Sequence, residues 1–144
     1  MNSNNANLIS ASQRVWVVFS GQTELPYLKW LKPGFRHCYV IMNDGHRWVS
    51  VDPLSHVTDV TVHHHLPPDF NLPRWLEDRG MKVVAARRGD IPLRAAPMMV
   101  FTCVEAVKRI LGVHERRIFT PWQLYRHLTA SPKTTYQGDL SWAV

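Results

Sequence analysis

Cysteine, acidic residues and long apolar runs are all scarce in this chain, and each scarcity removes a class of explanation. Cysteine occurs twice in 144 residues, at Cys38 and Cys103. Two are too few for the disulfide framework that small secreted domains use to supplement a core. A reducing compartment is the expectation, and the sequence leaves open whether the two pair with each other. No apolar run approaches the roughly 20 residues needed to span a bilayer, so no membrane association is expected. Residues 1–13 are polar and rich in Asn and Ser, without the basic-then-apolar order of a secretory signal. Acidic residues number 11 against 17 basic ones, a net charge of +6. Such a surplus favours anionic partners, nucleic acid or cell-wall polymer. The positive residues are scattered, however, with only small clusters at Arg87-Arg88 and Arg116-Arg117. No nucleic-acid module is recognisable, so no specific nucleic-acid partner is expected.

What remains is a chain of one-domain size with a real core. Residues 1–13 read as a flexible lead-in, 14–130 as a single domain, and 131–144 as a loosely ordered tail. Strands are expected over Arg14–Phe19, Arg36–Met42, Arg47–Asp52, His56–His63 and Met81–Ala86, from their Val, Ile, Thr and aromatic content. Thr23 is placed to cap a short helix over Glu24–Leu31, and Arg74–Arg79 to form a helical turn. A basic connector, Arg87–Pro97, precedes the second half. Strands followed by helices make an α+β arrangement with a mostly antiparallel sheet.

The helix signals are clearest around Cys103. Thr102 and Glu105 have capping-box spacing, Val104, Val107 and Leu111 make an apolar stripe, and Gly112 is a natural stop. Cys103 then opens the helix, where the dipole and unpaired N–H groups favour a thiolate and can hold an oxyanion. The competing reading is a small core residue at a helix start. Thr120-Pro121-Trp122-Gln123 repeats the capping logic for a last helix to about Leu128.

A base for that thiol is suggested by Asn43-Asp44-Gly45-His46, read as a two-residue type I′ hairpin loop. Asn43 then faces His46, Ile41 faces Trp48, Tyr39 faces Ser50, and His37 faces Asp52, on one side of the sheet. His37 with Asp52 is the base-plus-orienter half of a Cys-His-Asp site. Alternation sends Cys38 to the other face, as a core residue. The competing reading is an ordinary strand histidine beside an aspartate that ends its strand at Pro53.

Arg36-His37-Cys38-Tyr39-Val40-Ile41, Trp48-Val49-Ser50-Val51-Asp52-Pro53, Thr102-Cys103-Val104-Glu105 and the Thr120-Pro121-led helix, in that order, resemble the circularly permuted branch of the NlpC/P60 papain-like superfamily. The chain also resembles small proteins encoded among tailed-phage structural genes. The resemblance implies a papain-like α+β fold, an antiparallel β-sheet packed against a cysteine-bearing helix, with the histidine strand first. It implies Cys103 as nucleophile, His37 as general base and then acid, and a third polar residue, here Asp52; some relatives use a second histidine there. The implied chemistry is hydrolysis of peptides, amides or lipid esters through a thioester, with peptidoglycan stem peptides the leading substrate. Location is then cytoplasmic or virion-associated. The alternative is a catalytically silent papain-like phage structural or accessory protein that binds a partner, including other phage structural proteins. The oxyanion donors would be the Cys103 N–H and one further group, for which Gln22 is a candidate against the plainer reading of a solvated turn residue.

No cofactor is expected. His63-His64-His65 invites a metal reading, but neighbours on a strand point to opposite faces and no zinc-site spacing is present, so no metal is assigned. Trp30, Trp48, Trp75 and Trp122 read as cleft-lining or, more simply, as core.

Overall fold

The computed structural model describes residues 14–22, 29–87, 96 and 98–130. The expected lead-in and tail lie outside the described residues, as do most of the helix expected over Glu24–Leu31 and most of the Arg87–Pro97 connector. Five strands form one sheet: β1 (Arg14–Ser20), β2 (His37–Asn43), β3 (Trp48–Pro53), β4 (Thr58–Val62) and β5 (Lys82–Ala86). The described helices are α1 (Leu72–Glu77), α2 (Cys103–Leu111) and α3 (Pro121–Ala130). The strand order is β4-β3-β2-β1-β5, and every pairing is antiparallel.

The central position of β1 follows from its sequence. Val15, Val17 and Phe19 face one side and Val18 the other, all four buried, so this strand requires cover on both faces. On the first face, Val15, Val17, Phe19, Cys38 and Val40 pack against Val104, Val107 and Leu111 of α2 and Leu124 and Leu128 of α3. On the second, Val18, Ile41 and Trp48 meet Leu72 and Leu76 of α1. Strand β4 is mostly exposed, as its Thr-Asp-Val-Thr-Val composition allows for an outer strand.

The helix ends follow their local chemistry, with one departure. At α3 the capping box is complete: Gln123 N–H donates to Thr120 Oγ1 (3.2 Å), and Thr120 N–H donates to Gln123 Oε1 (3.0 Å). At α2 it is half made. Thr102 Oγ1 accepts from Glu105 N–H (3.2 Å), but the Glu105 carboxylate turns inward to Lys108 and Arg109. Gly112 closes α2 in the left-handed region (φ 73°). The Val113 N–H reaches back to the Lys108 carbonyl, as in a Schellman motif.

The hairpin between β2 and β3 differs from the expected one. The observed partners are Asn43↔Trp48, Met42↔Val49, Ile41↔Ser50 and Val40↔Val51. Asp44 causes the shift: its Oδ1 accepts from the N–H groups of both His46 and Arg47 (2.8 Å each). That side-chain turn lengthens the loop to four residues and overrides the two-residue Asp-Gly geometry.

The papain-like α+β fold implied by the resemblance is corrected by this architecture. Among the described residues the protein is mostly one antiparallel five-stranded sheet with a few short helices, 26% helical and 29% strand, which does not clearly fit that fold. The matched motifs are local, a strand here and a helix start there, whereas layer architecture is decided by distant pairing. The return of β5 to pair with β1 (Val17↔Val84) and the cover of the second face by α1 are carried by none of those motifs. Among the described residues no helix is long and apolar enough to cross a membrane.

Candidate active site

His37 opens β2, Asp52 lies near the end of β3, and Cys103 is the first residue of α2. The site is therefore built where the start of one strand, the end of its neighbour and the start of a helix meet. Helix α2 is held there by its apolar stripe on the β2 face. The start of β2 is tied to the end of β1: Ser20 pairs with His37, and Arg36 N–H donates to the Ser20 carbonyl (2.9 Å). The adjoining turns touch closely. A Cβ on Gly21 would stand 3.2 Å from the Gly34 backbone, so glycine there permits the approach.

His37 Nε2 lies 2.6 Å from Asp52 Oδ1, with both side chains largely covered. The pair forms although the expected register does not. Continuing the observed register by one step sets Asp52 opposite Tyr39, so His37 reaches Asp52 as a diagonal neighbour on the same face. Tyr39 adds a second restraint, since its ring stacks on the imidazole (centroids 6.2 Å apart, 26° between planes). Its own position is fixed by a hydrogen bond to Met81 Sδ (3.5 Å). Burial, and then the Asp52 charge, push the Tyr39 phenol up to about 12, so it stays neutral.

With Nε2 on Asp52, Nδ1 is the ring nitrogen left for the Cys103 sulfur, to which His37 is also hydrogen-bonded. Burial opposes an imidazolium, but the hydrogen bonds to Asp52 and then Cys103 outweigh it and raise His37 to about 9. Cys103 moves the other way, to about 5. The largest cause is a hydrogen bond from the Cys38 thiol; burial opposes it, and the His37 hydrogen bond, the Cys38 backbone N–H and the His37 charge add to it. Near pH 7 the pair is thus a thiolate beside an imidazolium.

Cys38 is the participant that sequence reasoning missed. Alternation does send it away from His37 and it is wholly buried, but that face is the one α2 packs on. The signal was present: a residue adjacent to the base, on the helix side of the strand, is necessarily close to the helix start. Tyr39 was legible in the same way, two residues along the face of His37.

Other expected residues fall elsewhere. Gln22 is exposed and its N–H donates to Ser20 Oγ (3.1 Å), which places it two residues beyond the register partner of His37. His63 Nε2 contacts Ser50 Oγ (3.0 Å) and His64 Nδ1 contacts Arg47 (3.2 Å). No group of three or more His, Cys, Asp or Glu among the described residues is placed to hold a metal ion. Of the tryptophans singled out, Trp48 is core, Trp30 is 93% exposed, and Trp122 packs against Phe35 and Tyr125 with the Lys32 ammonium over its ring.

Trp75 borders a groove of about 510 Å³ on the α1 side of the sheet, together with Tyr39, Ile41, Asp52, Asp59 and Phe70. Asp52 and Tyr39 therefore belong both to the histidine's surroundings and to a largely apolar groove. Asp59 is the cross-strand partner of Asp52. Two like charges directly opposite are unfavourable; here one carboxylate is engaged by His37 and the other accepts from Thr61 Oγ1 (2.9 Å).

Replacing Asp52 by Asn should lower the His37 pKa from about 9, because the substitution removes the acceptor that most favours the imidazolium. An NMR titration of the His37 ring reads this directly. An unchanged midpoint would mean that Asp52 does not hold the proton on His37.

No family model matches the chain, no curated protein matches it, and no solved structure matches it.

Proposed function

We propose that this protein is a cysteine hydrolase that cleaves amide or peptide bonds through Cys103, His37 and Asp52. The observation that carries the reading is the constellation itself. A thiol at a helix start has its charge favoured by an imidazole whose Nε2 is held 2.6 Å from a carboxylate.

In this reading the Cys103 thiolate attacks the substrate carbonyl. Negative charge develops on the oxygen, where the Cys103 N–H, one of the amides a helix start leaves unpaired, stabilises it. Gln22 is proposed as the second donor. His37 gives its Nδ1 proton to the departing amine, and a thioester on Cys103 remains. Water, deprotonated by His37, then releases the acid and regenerates the thiolate. Asp52 keeps the ring in one orientation and stabilises the imidazolium; it does not take the proton.

The groove beside Asp52 offers apolar room for a substrate side chain, and a net charge of +6 favours an anionic polymer such as peptidoglycan. Stem peptides of that polymer are the first substrates to try. A cytoplasmic or virion-associated setting suits a free thiol.

The testing experiment is acyl-enzyme trapping. The protein is mixed with stem peptides, quenched in acid and weighed intact. The expected result is an acyl adduct on Cys103 that disappears as product accumulates. Failure to acylate with peptide, amide or ester donors would leave the second reading, a partner-binding protein with a silent site. Met98, Val100 and Phe101, all exposed just before Cys103, are the surface that reading would use.

A further inference from the structure

Hydrolysis would use the second sulfur only as a hydrogen-bond donor that favours the Cys103 thiolate. Cys38 is 0% exposed on the β2 face beneath α2. Cys103 packs against the same core cluster from the start of α2, and both cysteines are free. To orient a thiolate, the Cys38 backbone N–H alone supplies a donor from the same residue. A thiol adds something an amide lacks, the capacity to form a bond to sulfur. Both side chains belong to one core cluster where β2 meets the start of α2, and a disulfide requires their sulfurs to come to about 2.05 Å. Cys103 stands at a helix end, where the first turn is the most readily displaced part of the element. Cys103 is partly exposed, with exposed Phe101 and Thr102 before it, whereas Cys38 has no surface of its own. A small oxidant therefore meets Cys103 first and Cys38 only through it.

We propose that Cys103 and Cys38 form a redox pair, in which a hydroperoxide oxidises Cys103 to a sulfenic acid and Cys38 converts it to a disulfide that closes the site. The proposal shares the Cys103 thiolate with the hydrolase reading but does not need hydrolysis.

In the first step the Cys103 sulfur attacks the distal peroxide oxygen and the O–O bond breaks. The departing alkoxide or hydroxide takes the proton of the His37 imidazolium and leaves as alcohol or water. Sulfur is oxidised and the peroxide reduced by two electrons, leaving Cys103–S–OH. In the second step the Cys38 sulfur attacks the Cys103 sulfur and the S–O bond breaks. The hydroxide departs as water with the Cys38 thiol proton. One hydroperoxide and two thiols thus give one disulfide, one alcohol or water, and one water.

The asymmetry of the pair suits these roles. Burial first, and then its hydrogen bond to Cys103, push the Cys38 thiol well above its ordinary value. It keeps its proton until an electrophilic sulfur stands beside it, and the proton is then the one the leaving hydroxide needs. The disulfide would remove the nucleophile reversibly and spare it from irreversible sulfinic oxidation.

The test uses the full chain, reduced, desalted and treated with one equivalent of hydrogen peroxide at pH 7. The reaction is stopped with N-ethylmaleimide in denaturant and analysed by intact mass and non-reducing peptide mapping. The expected result is loss of two hydrogen atoms, loss of both alkylation sites, and a Cys38–Cys103 cross-linked peptide that dithiothreitol releases. Cys38→Ser and Cys38→Ala should instead stop at a Cys103 sulfenic acid that dimedone traps. A wild-type protein whose Cys103 advances to sulfinic acid while Cys38 stays fully alkylated would overturn the proposal, as would two thiols that both survive. The wild type alone decides, so poor folding of a Cys38 variant does not weaken the test. Iodoacetamide labelling of a separate aliquot that has not seen peroxide, at pH 6, separates the two proposals. Rapid labelling of Cys103 there, with no disulfide formed after peroxide, overturns the redox pair and leaves the hydrolase standing.

Discussion

Replacing Cys103 by Ala is expected to remove acyl transfer, and His37→Ala is expected to do nearly the same. In a nucleophile–base unit either loss alone costs on the order of 10⁶ in kcat, because the remaining partner has nothing to act on. The pH dependence gives the sign. Cys103 gains its charge as pH rises through about 5, and His37 loses its proton as pH rises through about 9. Turnover should therefore climb through about 5, hold across neutrality, and fall through about 9 as the proton for the leaving group is lost.

Alkylation by iodoacetamide needs only the thiolate, so it should rise through about 5 and show no fall near 9. In His37→Ala the midpoint for Cys103 alkylation should move to higher pH. Labelling at pH 6 then slows, approaching about tenfold for each whole pH step the midpoint climbs above 6. The move should be incomplete, because the Cys38 thiol, the largest single cause of the depression, is untouched. Cys38→Ala should raise the midpoint as well. If His37→Ala labels Cys103 as fast as wild type at pH 6, the sulfur does not depend on the imidazole and the catalytic reading loses its basis.

The largest stability effect is expected one turn along the same helix. Lys108 Nζ lies 3.0 Å from Glu105 Oε2, with the side chains 3% and 7% exposed. A buried charge pair adds little net stability, but removing one partner strands the other and costs about 3–5 kcal/mol. The two removals should differ. In Lys108→Met the Glu105 carboxylate keeps Arg109, whose Nε is 3.2 Å from Oε1 and whose side chain is 47% exposed. In Glu105→Leu the buried ammonium keeps, among the described residues, only the Ile118 carbonyl, at 3.4 Å. Glu105→Leu should therefore fall at the top of that range and Lys108→Met below it, read by urea denaturation at pH 7. Replacing both by Leu should recover most of the loss, since no unpaired charge remains. Equal and small effects would show that water reaches the pair. Helix α2 carries Cys103, so the same variants should also slow labelling of that thiol wherever the fold loosens.

Much of this was readable from residues that act on near neighbours. Thr102 and Gly112 delimit α2, Thr120 and Gln123 open α3, and strand composition places β1, β2, β3 and β5 to within a residue or so. The misreadings share a cause, a side chain with a choice between a local and a distant partner. Glu105 had the spacing to complete its capping box and went to Lys108, because Lys108 is buried and needs an anion. Asp44 had a glycine after it and still closed a longer loop, because its carboxylate captured two N–H groups. The second error should have undone the His37–Asp52 pair, and did not, because imidazole is long enough to reach a diagonal neighbour.

By itself the sequence determined the short elements and the side chains they present: a thiol at a helix start, a histidine at a strand start, a carboxylate at the end of the next strand. Those are decided by hydrogen bonds and dihedral preferences a few residues apart. Only the tertiary structure decided the layer architecture, with β5 beside β1 and α1 on the second face, and only it set Cys38 against Cys103. Both depend on contacts between segments distant in the chain. Such contacts are selected by burial of whole faces, and no local motif records which face a segment will meet.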